Sequence, residues 1–165
     1  MSEIKNMQSL IDSVKKNSPQ AVLAVTKAKD IDIITVKKEF LLEIARFLHD
    51  DTHLDLKYLS FLTAVDYPRK DQRFEVLYQL YSLKNNHKLR MCVPVPEDDP
   101  QMDSVTGIWA AAVLLEMEVF DMFGIKFNNH PDMRRIFMPD DWEGHPLRKD
   151  YPLQGDRQYK VDLDA

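Results

Sequence analysis

The sequence predicts an α+β fold, in which a small and mostly antiparallel sheet is covered by helices. Two segments, residues 74–80 and 89–95, alternate between apolar and polar side chains, as half-buried strands do. Two others, around residues 41–48 and 108–122, repeat apolar residues at the i, i+3, i+4, i+7 spacing of an amphipathic helix. The chain of 165 residues is 44% hydrophobic, which is enough for one ordinary core.

The N-terminal part of the chain predicts a helix, a hairpin, a second helix and a strand. Apolar residues at helical spacing open the chain and predict a short amphipathic helix: Ile4, Met7, Ile11 and Val14. Two short apolar runs, residues 21–26 and 31–36, are separated by a polar turn, which favours a β-hairpin. The helix at residues 41–48 follows. Residues 58–67 are a near-continuous apolar run closed by proline, which is typical of a buried strand.

The two alternating segments, 74–80 and 89–95, form a meander with the strand before them. A polar loop precedes the first segment and a turn at residues 84–87 separates the two. Proline cannot donate a hydrogen bond to a neighbouring strand, so Pro94 and Pro96 either end the last strand or mark it as an edge. With the N-terminal hairpin, these strands give the mostly antiparallel sheet.

One long helix is predicted after the meander, from Ser104 to Phe123. Asp103 or Ser104 can cap its N-terminus, and Gly124 stands where a glycine commonly ends a helix. Its apolar face consists of Ile108, Ala111, Ala112, Leu115, Val119 and Met122. The same helix carries three acids within two turns, namely Glu116, Glu118 and Asp121.

Composition excludes several classes of protein. The chain has 27 acids against 22 Lys and Arg, and its net charge of −5 argues against a nucleic-acid binder. No apolar run approaches the roughly 18–20 residues that span a bilayer, and the N-terminus resembles neither a secretory signal nor a transit peptide. The single cysteine, Cys92, rules out an internal disulfide and an all-cysteine iron–sulfur site. We expect a cytoplasmic setting, with any membrane reached through a partner.

The C-terminal segment lacks any lasting period, yet it is rich in large apolar residues. We divide the chain into an α+β domain, residues 1–124, and an extended tail, residues 125–165. Fixing the backbone of residues 125–151 costs roughly 1–2 kcal/mol each, and recovering even the lower bound requires burying on the order of 1,000 Å² of apolar surface. A partner protein offers such a surface, so residues 121–152 are interpreted as a docking tail. The alternative is a tail that folds back on its own sheet.

The acids of the long helix have two interpretations. Glu116, Glu118 and Asp121 could form a proton-handling or catalytic cluster with raised pKa values. They could instead anchor the cations that the tail supplies, which are Arg134, Arg135, Arg148 and Lys149. The second interpretation is favoured, with the helix presenting its acids to receive the arginines and so setting the register of the tail.

Other motifs favour structural over chemical roles. With Asp132, His130 and His145 could suggest zinc, but no third ligand has suitable spacing, so hydrogen-bonded structural histidines are favoured. Each precedes a proline, Pro131 or Pro146, which favours extended backbone. The four glycines stand far apart, so no phosphate-binding or dinucleotide loop is present. We therefore expect no catalytic, cofactor-binding or metal-ligating residue on this chain.

Residues 109–153 closely resemble the 30-kDa subunit family of proton-pumping NADH:quinone oxidoreductase, respiratory complex I. The resemblance is carried by the runs EMEVFDMFGIKFNNHPDMRRI and GHPLRKDYP, and it extends upstream to about residue 56. The positions that match the family pattern, and that the resemblance places at a subunit interface, are Glu116, Glu118, Asp121, Gly124, His130, Pro131, Asp132, Arg134, Arg135, Gly144, His145, Pro146, Arg148, Lys149 and Asp150.

The resemblance implies a cofactor-free scaffold subunit of the peripheral arm. Members bind the 49-kDa-type quinone-site subunit through the tail and lie next to iron–sulfur subunits. FMN, iron–sulfur clusters and quinone are implied on those partners, and the NADH:quinone oxidoreductase activity belongs to the complex. The implied location is peripheral, on the cytoplasmic face of the bacterial inner membrane, or on the matrix side in an organelle.

Three departures from the family pattern and two other hypotheses accompany this resemblance. Met117 stands where Arg is usual, Asn129 where Gly often precedes the His-Pro pair, and Val113-Leu114 where Asn-Trp is common. One alternative is the equivalent small subunit of a membrane-bound hydrogenase or of a ferredoxin- or F420-linked dehydrogenase. The other is a stand-alone enzyme that uses Glu116, Glu118 and His145.

Overall fold

The computed structural model describes Val14, residues 18–29 and residues 31–152. Their strands are β1 (Val22–Ala28), β2 (Ile31–Val36), β3 (Tyr58–Asp66), β4 (Phe74–Ser82), β5 (His87–Val95), β6 (Gln101–Asp103) and β7 (Lys126–Asn128). The helices are a short 3₁₀ turn (Lys38–Phe40), α1 (Leu41–Asp50) and α2 (Ala112–Phe123). The predicted N-terminal helix lies outside the described residues, apart from Val14, which is buried.

Five strands form one mixed sheet in the order β1-β2-β5-β4-β3. The hairpin β1–β2 and the meander β3–β4–β5 are antiparallel, which confirms the predicted α+β class and the mostly antiparallel sheet. The two units join through a parallel pair between β2 and β5, from Asp32 opposite Leu89 to Thr35 opposite Cys92. Parallel neighbours need a long crossover, and here α1, β3 and β4 provide it.

The two faces of the sheet differ in what covers them. On the inner face, alternate residues of β4 and β5 and the buried side of α1 belong to one hydrophobic core: Phe74, Val76, Tyr78, Leu80, Leu89, Met91, Val93, Val95, Leu41, Ile44, Ala45 and Leu48. The outer face carries the intervening residues, among them Gln79 and Tyr81 of β4 and Lys88 and Arg90 of β5. In the described part of the chain, the hydrophobic core therefore lies on the inner side of the sheet.

Pro94 lies in β5 at a point where that strand has become an edge. The pairing of β2 with β5 ends at Cys92, whereas β4 continues alongside, with Glu75 opposite Pro94. A missing N–H is tolerated where one side of a strand has no partner. The expected edge is thus confirmed, although β5 is an inner strand over its first half.

The long helix is shorter than the apolar spacing predicts, because α2 begins at Ala112 and not at Ser104. Residues upstream of Ala112 form hydrogen bonds with distant backbone groups instead. The Ser104 N–H donates to Asn128 O, and the Trp109 indole N–H donates to Leu56 O at 3.1 Å. These contacts hold residues 104–111 in turns, and α2 starts without a side-chain cap.

The end of α2 and the start of the tail follow a left-handed turn and a short strand. Gly124 has φ of +76° and its N–H donates to Phe120 O, which confirms the predicted glycine stop. Strand β7 then pairs in parallel with β6. Neither three-residue strand is predicted, because so short a segment shows no period. Among the described residues, no helix is long and apolar enough to cross a membrane.

Asn129 occupies a left-handed position, with φ of +63°, directly after β7. Glycine adopts this conformation freely, and asparagine tolerates it because its short polar side chain can hydrogen-bond nearby. In other residues the Cβ crowds the following carbonyl oxygen, at a cost of roughly 1–2 kcal/mol. Asn129→Ala is therefore expected to lower the free energy of unfolding by about 1 kcal/mol, and Asn129→Gly to leave it nearly unchanged, as urea denaturation will measure. Asn128→Ala, in the neighbouring exposed strand position, is the control. Equal losses in Asn129→Ala and Asn129→Gly would contradict the conformational argument.

Candidate functional site

The Asp121 carboxylate, near the C-terminal end of α2, organises the first part of the tail. It is fully buried, and its Oδ2 accepts the backbone N–H groups of Ile136, Phe137 and Met138 at 3.1, 2.8 and 2.9 Å. Its Oδ1 accepts a hydrogen bond from Arg135 Nη1 at 2.7 Å. Burial on its own raises the pKa of Asp121, but these hydrogen bonds outweigh it and leave the pKa below its ordinary value.

A second anchor holds the end of the described tail at the junction of β3 and β4. Arg73 pairs with Asp66 through two parallel bonds, Nε to Oδ1 at 2.8 Å and Nη2 to Oδ2 at 2.9 Å, and both side chains are buried. The Lys149 N–H donates to Asp66 Oδ2 at 2.7 Å, and Asp150 Oδ1 lies 2.8 Å from Arg73 Nη2. Glu97 also binds Arg73. The hydrogen bonds from Arg73 hold the pKa of Asp66 below its ordinary value despite burial.

Sequence reasoning missed this second anchor. Asp66 and Arg73 lie upstream of the two runs that carry the resemblance, and their tail partners are more than 70 residues away. One signal was present, because Asp66 ends a strand that is otherwise apolar apart from small hydroxyl residues. A lone carboxylate in such a run indicates a buried partner, since an unpaired buried charge is costly.

The tail also closes the C-terminal end of α2, where the last carbonyl groups of a helix have no partner within it. His145 Nδ1 lies 2.9 Å from Asp121 O, the Leu147 N–H donates to Met122 O at 3.0 Å, and Arg148 Nε donates to Phe123 O at 2.6 Å. Burial lowers the pKa of His145, and the adjacent arginine charges act in the same direction. A neutral imidazole that donates to a carbonyl oxygen fits this position.

His130 also binds backbone groups, near the start of α2. Its Nε2 lies 2.9 Å from Val113 O, and its Nδ1 accepts the Asp132 N–H at 3.1 Å. Both ring nitrogens are thus engaged with backbone, as the structural interpretation of the histidines expects. Within the described part of the chain, no group of three or more His, Cys, Asp or Glu could hold a metal ion.

Gly124 and Gly144 make close packing in the tail feasible. A Cβ at Gly124 would lie 2.5 Å from the His145 ring and 2.7 Å from Arg148 Nη2. A Cβ at Gly144 would lie 2.7 Å from the Tyr151 ring. Both glycines also have positive φ, so two independent reasons select glycine here.

Glu116 differs from Asp121, although both are fully buried on α2. Its Oε1 accepts the Val105 N–H at 2.8 Å, while its Oε2 has no hydrogen-bond partner among the described residues. Burial raises the pKa of Glu116 to about 7, although the Ser104 hydroxyl and the Val105 N–H limit the rise. No described cation pairs with this carboxyl group.

The expectation that all three acids of α2 receive the tail's cations is therefore corrected. Among the described residues, only Asp121 does so, through Arg135. Arg134 pairs with its exposed neighbour Asp132, while Arg148 binds a backbone carbonyl and lies 5.1 Å over the Phe74 ring. Sequence spacing shows that the three acids lie close together on α2. Which of them meets a cation depends on which side of α2 faces the core and on the path of the tail.

The departures from the family pattern have local explanations at two positions. Met117 is buried, so an apolar side chain suits the site where arginine is usual. Asn129 takes the left-handed conformation that a glycine would also accept. At the third, Leu114 is 65% exposed, and nothing in the structure explains the change from the common residue.

Three large apolar side chains of the tail lie at the surface, whereas Phe127 is buried and Met133 and Met138 pack against the core. Ile136, Phe137 and Leu147 are 38%, 59% and 49% exposed, although the backbone N–H group of each is bound to α2. Folding back on the body thus binds backbone N–H groups at residues 136–138, 147 and 149. We call these three side chains the tail patch. Docking of this patch on a partner stays a prediction. The division of the chain into a domain, residues 1–124, and a tail, residues 125–165, also stays a prediction.

The fold and the two anchors define a small α+β module that displays an apolar patch on a tethered C-terminal segment.

Residues 34–157 match the family described as respiratory-chain NADH dehydrogenase, 30 Kd subunit. The chain is 47% identical over 142 residues to the NADH-quinone oxidoreductase C subunit from Citrifermentans bemidjiense, covering 86% of this chain and 87% of that protein. It is 49% identical over 136 residues to the C subunit from Geobacter metallireducens, covering 82% and 83%. The chain belongs to this 30-kDa subunit family.

Two solved structures share the fold. A trypsin-resistant fragment of Nqo5 superposes with a TM-score of 0.68 at 25% identity, covering 77% of this chain and 98% of that fragment. A chain of an archaeal respiratory membrane complex, the membrane-bound sulfane sulfur reductase, gives a TM-score of 0.73 at 22% identity, covering 88% and 85%. The first agrees with the family, and the second supports the fold alone.

Asp121→Asn is expected to lower the free energy of unfolding by about 3 kcal/mol, because it leaves Arg135 unpaired and turns an amide N–H₂ towards other donors. Since the pKa of Asp121 is depressed in the folded state, its contribution is present above the ordinary carboxyl range and is lost as the pH falls through the folded value. Urea denaturation at pH 7 will measure the loss of stability. Hydrogen exchange will measure the loss of protection of the amides at 136–138. Glu118→Gln, on the same helix, is the control; unchanged exchange in Asp121→Asn would overturn the anchor.

Glu116→Gln is expected to remove a pH-dependent loss of stability. The folded pKa of about 7 lies above the ordinary value of 4.5, so the unfolded chain releases its proton first as the pH rises. Wild-type stability should therefore fall between these values and remain lowered above them. The advantage of the glutamine variant should grow by on the order of 3 kcal/mol over this interval. Urea denaturation from pH 5 to 8 tests this; a constant difference would refute the neutral buried acid.

Proposed function

We propose that the chain is a structural subunit of the peripheral arm of an NADH:quinone oxidoreductase and that it holds the quinone-site, 49-kDa-type subunit through its tail patch. The observation that carries the proposal is the contrast within the tail: bound backbone beside exposed Ile136, Phe137 and Leu147. Family membership and the names of the relatives supply the complex.

The geometry of the tail patch suits a stable protein interface. Three large apolar side chains standing on a tethered backbone form a preorganised surface, so little conformational entropy remains to be lost on binding. Exposed aromatic residues such as Phe137 are also common anchors at interfaces. The same stretch of chain carries exposed charges, among them Arg134 and the acids Asp140, Asp141 and Glu143, which could supply a polar rim.

We assign the redox groups of the proposed complex to neighbouring subunits: FMN, iron–sulfur clusters and quinone. The donor chemistry of this chain supports that assignment. Its one cysteine, Cys92, is buried, and burial raises the pKa of its thiol to about 12, which disfavours the thiolate that binds metals. His130 and His145 have ring nitrogens committed to backbone groups. We therefore propose neighbouring iron–sulfur subunits as further partners and no catalytic residue here.

The stand-alone enzyme hypothesis receives no support from the site. It required Glu116, Glu118 and His145 to act together. Glu116 is bound to the Val105 N–H inside the core, whereas His145 caps the far end of α2 at Asp121 O.

We also propose peripheral placement on the cytoplasmic face of the bacterial inner membrane, with contact to the membrane only through the complex.

The main rival remains the same module in a complex with another electron donor, such as a membrane-bound hydrogenase or a ferredoxin- or F420-linked dehydrogenase. The names of the relatives at 47% and 49% identity favour NADH. Affinity purification of the tagged chain with identification of its neighbours separates the two. Recovery of a flavin-carrying NADH-oxidising module supports the proposal, and its replacement by a different donor module refutes the NADH version.

Phe137→Ser together with Leu147→Ser is expected to reduce recovery of the 49-kDa-type subunit with the tagged chain at least tenfold, because both changes remove apolar area from the tail patch. The melting temperature of the isolated chain should change little, since about half of each side chain is exposed. Leu83→Ser is the matched control, as Leu83 is 75% exposed at the β4–β5 turn. Undiminished recovery, or an equal loss in Leu83→Ser, would sink the proposed dock.

A further inference from the structure

The outer face of the five-stranded sheet contains a second surface, away from the tail patch. A groove of about 510 Å³ is lined entirely by strand residues of this face. Its main walls are Tyr58 and Phe61 of β3, Gln79 and Tyr81 of β4, and Lys88 and Arg90 of β5. Tyr58 and Phe61 are 52% and 36% exposed, so two large side chains with apolar rings line the groove together.

The shape of the groove follows from an irregularity in β3. The register with β4 shifts between Leu59 and Phe61, so Ser60 and Phe61 are both exposed. A bulge of this kind re-aims side chains at functional edges. Arg90 then lies 5.8 Å from the Phe61 ring, and its Nε donates to Gln79 Oε1 at 3.1 Å. These contacts hold the guanidinium group over the groove.

The charge of the groove is opposite to that of the chain. The lining holds two cations, Lys88 and Arg90, and no carboxylate, although the net charge of the chain is −5. Among the described residues, neither cation has a salt-bridge partner. Aromatic walls beside two uncompensated cations complement a ligand that is both apolar and anionic.

We propose that this groove binds a segment of another subunit in which an aspartate or glutamate is flanked by apolar residues. The carboxylate would meet Lys88 and Arg90, and the apolar neighbours would cover Tyr58 and Phe61. A small anion alone would leave those rings in water. A second copy using the same face would bring cations opposite cations, which is unfavourable for a symmetric pair. The groove lies on the outer face, so this interaction does not depend on the tail patch.

The test uses the full chain within the assembled complex, with photoreactive p-benzoylphenylalanine in place of Tyr58. Irradiation should cross-link it to one segment of another subunit, and mass spectrometry should find an Asp or Glu within a few residues of the cross-link. Lys88→Glu and, separately, Arg90→Gln should lower the yield at least tenfold. Lys126→Glu, at an exposed strand position of β7, should stay within twofold. Replacing the partner's carboxylate with lysine should restore the yield in Lys88→Glu.

Several results would overturn the inference. These are no cross-link above the background of an unirradiated sample, a cross-linked segment without an acid, a yield insensitive to Lys88→Glu, or a lack of rescue by the charge swap. Cross-linking to residues 153–165 of the same chain, or to a second copy, would also overturn it. The Phe137→Ser, Leu147→Ser variant is expected to prevent the complex from forming, so its loss of the cross-link tests the proposed dock. The groove is tested by Lys88→Glu in the intact complex.

Discussion

The buried carboxylate of Asp121 joins the parts of this molecule that matter for its proposed role. It lies at the end of α2, where the helix has unpaired carbonyl groups and the tail needs acceptors for its N–H groups. One side chain accepts three consecutive N–H groups and an arginine, so irregular backbone is satisfied without a strand partner. A carboxylate can do this because both of its oxygens accept several hydrogen bonds.

From this interaction follows the separation of polar and apolar groups in the tail. Several backbone N–H groups of the tail, together with Arg135, Arg148 and Asp150, bond to α2 or to the Asp66–Arg73 pair. The side chains of Ile136, Phe137 and Leu147 stay exposed. The large entropic cost of ordering a long irregular segment is thus met partly by hydrogen bonds within the chain. The remaining apolar surface is small and fixed, and it faces away from the body. Such a surface resembles one half of an interface more than an unfinished core.

The sequence predicted the individual elements better than their connections. Alternation identified β4 and β5, an apolar run identified β3, and helical spacing identified α1, because each packs against the core in a regular way. The pattern could not reveal the parallel pairing of β2 with β5, since nothing in the roughly 50 residues between them encodes which strand they will meet. Likewise, the apolar spacing continued upstream to Ile108, but bonds from Ser104 and Trp109 to distant backbone delay the start of α2 until Ala112. The motif residues His145 and Arg148 were visible, while Asp66 and Arg73 were not, because their roles arise only when distant segments meet.

What the sequence alone determined is the class of the fold, the glycine stop at Gly124 and the kinship of residues 109–153 with a subunit family, because these depend on local pattern. Tertiary structure alone decided how two similar acids on one helix differ. Asp121 meets the donors of the returning tail, which lower its pKa. Glu116 is buried in the core, one of its oxygens has no hydrogen-bond partner among the described residues, and burial raises its pKa to about 7. Both are buried carboxyls on α2. The number of hydrogen-bond donors that reach each one, set by the path of the chain around it, makes the difference.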